Sequence, residues 1–191
     1  GQAMQLRPLG NTGLEISSIV FGAGAVGGGV FRGEESQRLE TVRRAREHGI
    51  NWIDTAPSYG DGQSEENLGW ILRELDWNPN LSTKVRLSAE EMDDIPHAVR
   101  NSIEESLKRM GRDAVQLIQL HNQILPERDP ARGAVGIGDV LAPGGIADAF
   151  DGRNTRCQLI FELLLHGDNR LELRSGEGRS FPRQQLGQHL V

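Results

Sequence analysis

The sequence predicts an α/β protein in which parallel strands alternate with helices that cover them. Two observations indicate this class. Short and almost continuously apolar runs, such as residues 50–53 and 114–120, are typical of strands buried on both faces. Longer segments between them, such as residues 95–110, carry apolar residues at helical spacing. Both a (β/α)8 barrel and an open doubly wound sheet satisfy this repeated order of strand and helix.

The individual elements follow from turn residues and from the period of the apolar positions. A near-continuous apolar run is interpreted as a strand, and a run with a four-residue step as a helix. Glycine after a helical run marks its end, as Gly49 and Gly111 do. In chain order, the predicted elements are a hairpin around the turn 10–13, a strand at 16–21, a glycine-rich loop at 22–29, a helix at 34–48, a strand at 50–53, a helix that Ser64 caps, a strand at 81–85, a helix at 95–110, a strand at 114–120 and the start of a helix at 146–150.

Composition limits the classes of function that the chain can serve. The 191 residues carry a net charge of −6 and no basic stripe, so nucleic acid is not an expected partner. The apolar runs are shorter than the ~20 residues that a membrane helix needs, and no signal peptide is visible. Cys157 is the single cysteine and cannot form an internal disulfide. We therefore expect a cytoplasmic protein without a membrane partner, and no residue spacing suggests a metal site.

Three ionisable residues follow three consecutive predicted strands. Asp54, Lys84 and His121 each stand at or near the end of an apolar run, and Tyr59 lies in the loop after Asp54. In a parallel sheet the carboxyl ends of all strands lie on one face, so these side chains can converge although they are distant in sequence. Each residue alone has an ordinary structural interpretation, but together they predict a site at the strand ends.

These four side chains suit the reduction of a carbonyl group. An ammonium group beside a phenol favours its ionised form, so Lys84 can make Tyr59 a better acid. Asp54 can keep Lys84 charged and oriented, and His121 can donate a hydrogen bond to a carbonyl oxygen. Such a set would polarise a carbonyl and deliver a proton while a hydride reaches its carbon. General acid assistance of this kind is typically worth ~10²–10⁴-fold.

Several segments of the chain resemble the aldo-keto reductase family. They are residues 9–17 (LGNTGLEIS), 49–60 (GINWIDTAPSYG), 64–69 (SEENLG), 82–84 (STK) and 117–121 (LIQLH). The second of these segments is similar to the most diagnostic segment of that family. Because order and spacing match as well as the residues, residues 4–150 are identified as belonging to the family.

The resemblance implies a fold, a reaction and a set of site residues. The implied fold is a (β/α)8 TIM barrel, and the implied reaction is the reduction of a small aldehyde or ketone by NADPH, or less often by NADH. By the resemblance, Tyr59 is the proton donor, Lys84 and Asp54 tune it, and His121 orients the carbonyl. The residues that the resemblance implies beside the nicotinamide ribose are Gly22, Ala23, Gly24 and Asp54.

A competing interpretation concerns the glycine-rich loop. Residues 22–27 (GAGAVG) match the G-x-G-x-x-G pattern of a Rossmann dinucleotide-binding site. That pattern requires a helix to open within the glycines, so that the pyrophosphate meets the helix N-terminus. Here the predicted helix begins only near Glu34, which disfavours the Rossmann alternative.

The composition changes near residue 150. Residues 151–191 contain no alanine and no lysine, whereas alanine is frequent before them. The segment 157–165 is apolar, but the segments 175–178 and 183–188 are typical of loop or disordered sequence. We expect a family-like partial barrel at 4–150 and a divergent tail at 151–191, with the gene truncated or its reading frame shifted between them.

An interrupted barrel would have physical consequences. A (β/α)8 barrel typically takes ~250 residues, whereas only four barrel strands are predicted by residue 121. A half barrel leaves a sheet edge and an apolar face uncovered, which favours poor stability or self-association. The family's phosphate-binding loops would lie in the missing half, so we expect this chain alone to be weak or inactive. The alternative is a non-catalytic half-barrel that serves as an interaction module.

Overall fold

A computed structural model describes residues 3–10, 12–24 and 30–149, together with the backbone of two strands at 160–163 and 171–174. The helices are α1 (Glu35–Glu47), α2 (Gln63–Glu74), α3 (Ile95–Met110), α4 (Ile137–Leu141) and α5 (Ile146–Ala149). The strands are β1 (Leu6–Pro8), β2 (Glu15–Ser17), β3 (Phe21–Gly22), β4 (Trp52–Asp54), β5 (Asn80–Val85), β6 (Leu117–Leu120), β7 (Ile124–Leu125), β8 (Val135–Gly136), β9 (Ile160–Leu163) and β10 (Leu171–Arg174).

Four parallel strands form the central sheet, in the order β3, β4, β5 and β6. Each strand lies beside the one before it in the chain, and α1, α2 and α3 connect them in turn. An open doubly wound sheet reverses its strand order at a switch point, and the described strands contain no such reversal. The consecutive order is that of a (β/α)8 barrel, so the described chain is the partial barrel that the sequence predicts.

The core lies between this sheet and its helices. Leu68 and Ile71 of α2, together with Val99 and Ile103 of α3, are buried in one hydrophobic cluster with the strands. Helix α3 is well delimited by its sequence. At its start the side chain of Asp94 accepts a hydrogen bond of 3.2 Å from the His97 backbone N–H, and at its end Gly111 adopts a φ of 61° that suits glycine.

Two sequence-based predictions were wrong in detail. The strand predicted at 16–21 is two strands, because residues up to Ser17 belong to the antiparallel β1–β2 hairpin and only Phe21–Gly22 joins the parallel sheet. Ser64 does not cap α2. Gly62, with a φ of 87°, occupies the cap position, and Ser64 lies inside the helix with its side chain fully buried. A left-handed cap residue favours glycine, which frees Ser64 for contacts across the fold.

The two ends of the described chain are hairpins. The predicted amino-terminal hairpin is confirmed, and the Asn51 side chain fixes it at the amino end of β4 by accepting a hydrogen bond of 2.8 Å from the Ser17 backbone N–H. Strands β9 and β10 pair antiparallel within residues 151–191. The loops predicted at 175–178 and 183–188 lie outside the described residues. None of the helices described is long and apolar enough to cross a lipid bilayer.

Candidate active site

An ion pair joins the ends of strands β4 and β5. The Lys84 ammonium donates a hydrogen bond of 2.6 Å to Asp54 Oδ2 and one of 2.7 Å to the Thr55 carbonyl. The side chains of Lys84 and Asp54 are only 12% and 28% exposed. Burial strengthens the attraction because little solvent screens it. The ammonium group is therefore held in one position at the carboxyl end of the sheet.

Ser82 and Trp52 form a chain of hydrogen bonds that ends at the Asp54 carboxylate. Asp54 and Ser82 are partners in the register of β4 and β5, and Ser82 Oγ donates a hydrogen bond of 2.7 Å to Asp54 Oδ1. The Trp52 indole N–H donates one of 3.1 Å to Ser82 Oγ. Both oxygens of the Asp54 carboxylate are thus occupied by protein donors. Sequence reasoning missed Ser82 and Trp52, although their alternation with Lys84 and Asp54 along the strands was a usable signal.

Tyr59 lies over this ion pair. The Lys84 nitrogen is 4.8 Å from the centre of the Tyr59 ring, a cation–π arrangement. The loop that carries the tyrosine is anchored by its backbone, since the Tyr59 N–H donates to the Ala56 carbonyl at 3.1 Å and the Ser64 N–H donates to the Tyr59 carbonyl at 3.2 Å. Tyr59 is half-buried, so contacts with neighbouring residues restrict the position of its ring.

The His121 ring lies against the Tyr59 ring. The two rings meet edge to face, with their centres 6.1 Å apart and an angle of 86° between their planes. The His121 backbone N–H donates to the Val85 carbonyl at 2.7 Å and so holds the residue at the end of β6. Its Nδ1 is buried and has no hydrogen-bond partner among the residues described. This leaves Nε2 as the nitrogen that can meet a substrate.

The surroundings of His121 favour the uncharged form of its ring. Burial lowers the pKa of the His121 imidazole below 6.5, and the positive charges of Lys84 and Arg86 lower it further. The carboxylate of Asp54 acts in the opposite direction but more weakly. A neutral imidazole can donate one hydrogen bond from Nε2 without bringing a second cation into the site.

The loop after β3 borders the same site. Gly22 is the register partner of Asp54, and the Ala23 backbone N–H donates to the Asp54 carbonyl at 2.8 Å. Ser64 Oγ donates to the Ala23 carbonyl at 3.1 Å, which is the contact that its burial inside α2 permits. A Cβ at Gly24 would lie 3.3 Å from the Tyr59 ring, so the loop passes directly against the tyrosine.

The described part of this loop does not have the form of a Rossmann site. Residues 25–29 lie outside the described residues, and α1 begins at Glu35, well beyond Gly27. Gly22 ends strand β3, and the first helix described after the pattern is α1, whereas a Rossmann site has a helix N-terminus among its glycines.

All four predicted polar residues meet at one rim. Asp54, Tyr59, Lys84 and His121 form one connected group at the carboxyl ends of β4, β5 and β6, with Gly22, Ala23 and Gly24 beside it. The group contains a phenol next to a fixed cation, and an imidazole that can donate a hydrogen bond. These are the parts of a proton-donating site. Among residues 3–149 that are described, no cluster of His, Cys, Asp and Glu could hold a metal ion.

Comparison with known proteins identifies the class. The model of the Aldo/keto reductase family matches residues 18–130, which include the whole site group. L-galactose dehydrogenase of Arabidopsis thaliana is 38% identical over 138 residues, covering 67% of this chain and 43% of that protein. The NADH-specific methylglyoxal reductase of Escherichia coli is 28% identical over 184 residues, covering 86% of this chain and 56% of that protein. The chain belongs to the aldo/keto reductase family and spans about half the length of these relatives.

The solved structures agree on the fold. The holo form of aldo-keto reductase AKR11C1 from Bacillus halodurans matches with a TM-score of 0.60 and 22% identity, over 83% of this chain and 50% of that one. At this identity the match concerns the fold alone. It assigns the described strands and helices to part of a TIM barrel, as the resemblance implied.

Proposed function

We propose that this protein is an oxidoreductase that reduces an aldehyde or ketone with a nicotinamide cofactor and uses Tyr59 as the proton donor. The observation that carries the proposal is the position of the Lys84 ammonium, which is bonded to Asp54 at 2.6 Å and lies 4.8 Å from the centre of the Tyr59 ring. Membership of the aldo/keto reductase family supports the class of reaction.

Each side chain has a defined task in this proposal. The bound cofactor supplies a hydride to the carbonyl carbon. Tyr59 gives its hydroxyl proton to the carbonyl oxygen, so that a C–H and an O–H bond form and the product is an alcohol. Lys84 stabilises the negative charge that remains on the phenol oxygen, and Asp54 holds Lys84 in place. His121 donates a hydrogen bond from Nε2 and orients the carbonyl oxygen.

The small residues of the loop after β3 fit a nicotinamide group. Gly22, Ala23 and Gly24 put no large side chain beside Asp54, and Ala23 is fully buried and fixed from both sides. A flat ring can approach such a backbone closely. NADPH is the cofactor that the resemblance implies, and the NADH-specific relative makes NADH the comparison to include. Titration of each dinucleotide, followed by its fluorescence, measures the preference.

Turnover by the 191-residue chain alone is proposed to be weak. The matched relatives are about twice as long as the part that this chain covers, and the described parallel sheet has four strands, whereas a (β/α)8 barrel has eight. A site without the surrounding barrel would bind its cofactor less firmly. A rate within the ordinary enzyme range of ~1–10³ s⁻¹ would refute this part of the proposal.

Self-association is proposed for the same reason. Three large apolar side chains in the amino-terminal part of the described chain are exposed, namely Leu6 of β1 (47%) and, directly before β3, Ile19 (59%) and Val20 (38%). A second copy of the chain would bury them. Light scattering after gel filtration should show a dimer that Ile19→Ser weakens. A monomer at all concentrations would contradict the proposal.

Replacing Tyr59 by phenylalanine tests the proton donor. It is the single tyrosine of the chain, and the change removes one hydroxyl group from a half-buried ring. We expect carbonyl-dependent NADPH oxidation to fall by about 10²–10⁴-fold while NADPH affinity stays unchanged. Ser58→Ala, at the exposed neighbouring position, is the matched control and should keep the wild-type rate. Equal rates in Tyr59→Phe and Ser58→Ala would refute the assignment.

A further inference from the structure

A second cation, Arg86, lies beside the site group. Arg86 follows β5 directly, and its side chain is exposed. Thr83, Val85 and Leu87 are buried, so the alternation of an extended chain puts Arg86 on the opposite side, which is the side of Lys84. The positive charge of Arg86 also helps to lower the pKa of the His121 imidazole, so the guanidinium acts electrostatically on the site group.

Asn122 keeps this part of the backbone extended beyond the end of β5. The Leu87 N–H donates to Asn122 Oδ1 at 2.8 Å, and Asn122 Nδ2 donates to the Leu87 carbonyl at 2.8 Å. The amide side chain thus continues the pairing of β5 with its neighbour by two more hydrogen bonds. Asn122 is itself buried and also donates to the Gly133 carbonyl at 3.0 Å. These hydrogen bonds therefore fix the direction in which the Arg86 side chain leaves the backbone.

Room for the guanidinium group is provided by Gly133. A Cβ at this position would lie 3.4 Å from Arg86 Nη2, and the glycine has a φ of 62° that other residues rarely adopt. Within the described residues, no carboxylate lies within 4.0 Å of the Arg86 guanidinium. A guanidinium presents a fork of N–H donors that matches a carboxylate or phosphate, and here that fork has no partner in the part of the chain that the structure describes.

We propose that Arg86 selects carbonyl substrates that carry an anionic group, a carboxylate in particular, at the end of the molecule away from the reacting carbon. This proposal rests on the proposed carbonyl reduction for the identity of the site, but its binding test does not require turnover. The anion would pair with Arg86 while the carbonyl oxygen faces Tyr59 and His121. Charge-assisted hydrogen bonds of this kind are among the stronger polar contacts in proteins.

A pair of probes of equal shape tests the selection. The probes are 4-formylbenzoate and its methyl ester, which differ in charge but share the aldehyde and the ring. Binding to the 191-residue chain is measured by calorimetry for the wild type, Arg86→Gln, Arg86→Lys and the control Arg100→Gln, an exposed arginine of α3. The wild type and the control should favour the acid by about 10-fold or more. Arg86→Gln should lose this preference, and Arg86→Lys should keep part of it.

The outcomes separate this proposal from the others. An acid preference that is absent in the wild type, or that survives in Arg86→Gln, overturns the role of Arg86. A loss of NADPH affinity in Arg86→Gln with an unchanged acid preference also overturns it, because the anion would then be a cofactor phosphate. If the acid preference depends on Arg86 but no variant oxidises NADPH with either probe, the selection stands and the proposed carbonyl reduction fails.

Discussion

Two ion pairs use opposite faces of the same strand and have the same length. On one face Lys84 of β5 meets Asp54 at 2.6 Å, and on the other the buried Glu65 of α2 meets Arg109 of α3, also at 2.6 Å. Thr83, which alternates with Lys84 on β5, donates a hydrogen bond of 2.6 Å to Glu65. Glu65 is fully buried, whereas Asp54 is 28% exposed.

The difference lies in what surrounds each pair. Glu65 has only structural partners, namely a hydroxyl on the strand and a guanidinium on the neighbouring helix, so its pair joins α2, β5 and α3. The Lys84–Asp54 pair stands at an open rim and has the Tyr59 ring as its next neighbour. A short ion pair alone therefore does not mark a functional site. The presence of a group that can exchange a proton, at a place that a substrate can reach, distinguishes the rim pair.

The largest expected effect is on stability, at the buried pair. Arg109→Met leaves the Glu65 carboxylate buried without its cation, which should lower the free energy of unfolding by about 3–5 kcal/mol. Urea unfolding followed by circular dichroism measures the loss. Arg100→Met on the exposed side of α3 is the control and should cost little. A loss below about 1 kcal/mol in Arg109→Met would show that the pair does not join the helices as described.

The rim pair should behave in the opposite way. Lys84→Met should lower turnover by about 10²-fold, because the charge beside Tyr59 disappears. It should cost less in unfolding than Arg109→Met, since Asp54 keeps the Ser82 hydrogen bond and is partly exposed, whereas Glu65 is fully buried. Lys108→Met, at an exposed position of α3, should change neither quantity. The comparison of the two pairs breaks down if Lys84→Met unfolds the protein as strongly as Arg109→Met does.

A smaller effect is expected where the loop after β3 touches Tyr59. The Cβ of Gly24→Ala would lie 3.3 Å from the tyrosine ring and push it by a few tenths of an ångström. Displacing a packed side chain in this way costs about 0.5–1.5 kcal/mol, so turnover should fall about 2- to 10-fold. Gly138→Ala, whose Cβ meets no atom within 4 Å, is the control. The Rossmann interpretation instead requires Gly24→Ala to abolish dinucleotide binding while Tyr59→Phe stays active.

The smallest expected effect is a pH dependence at His121. The pKa of His121 is lower in the folded protein than in the unfolded chain, where it is about 6.5. Between these two pKa values the unfolded chain therefore binds more protons than the folded protein. The free energy of unfolding should therefore fall as the pH drops below about 6.5, and His121→Gln should remove this part of the slope. Urea unfolding at several pH values between 5 and 8 measures it, with exposed His97→Gln as the control. An unchanged slope in His121→Gln would contradict the burial of this ring.

Much of the fold and of the site follows from local pattern. The alternation of apolar runs and helical stripes predicts the order of β3 to β6 and of the helices between them, and their carboxyl ends locate Asp54, Lys84 and His121. Tyr59 required the resemblance to the family as well, because a loop residue carries no periodic signal. Helix bounds are predicted to within one residue at α3, where Asp94 and Gly111 act as caps, but Ser64 shows that a cap residue type alone is not sufficient.

Local periodicity was enough to predict the class of fold and the kinds of chemical groups at the strand ends, because backbone geometry fixes the periods of strand and helix. The folded chain was needed to show that Ser82 and Trp52 support Asp54 and that Glu65 and Arg109 meet inside the fold. It was also needed to show that Arg86 lies on the same side as Lys84 without a partner among the residues described. These contacts join residues distant in the chain, and they depend on strand register and on the packing of helices against the sheet. A local pattern in the sequence does not specify strand register or the packing of helices against the sheet.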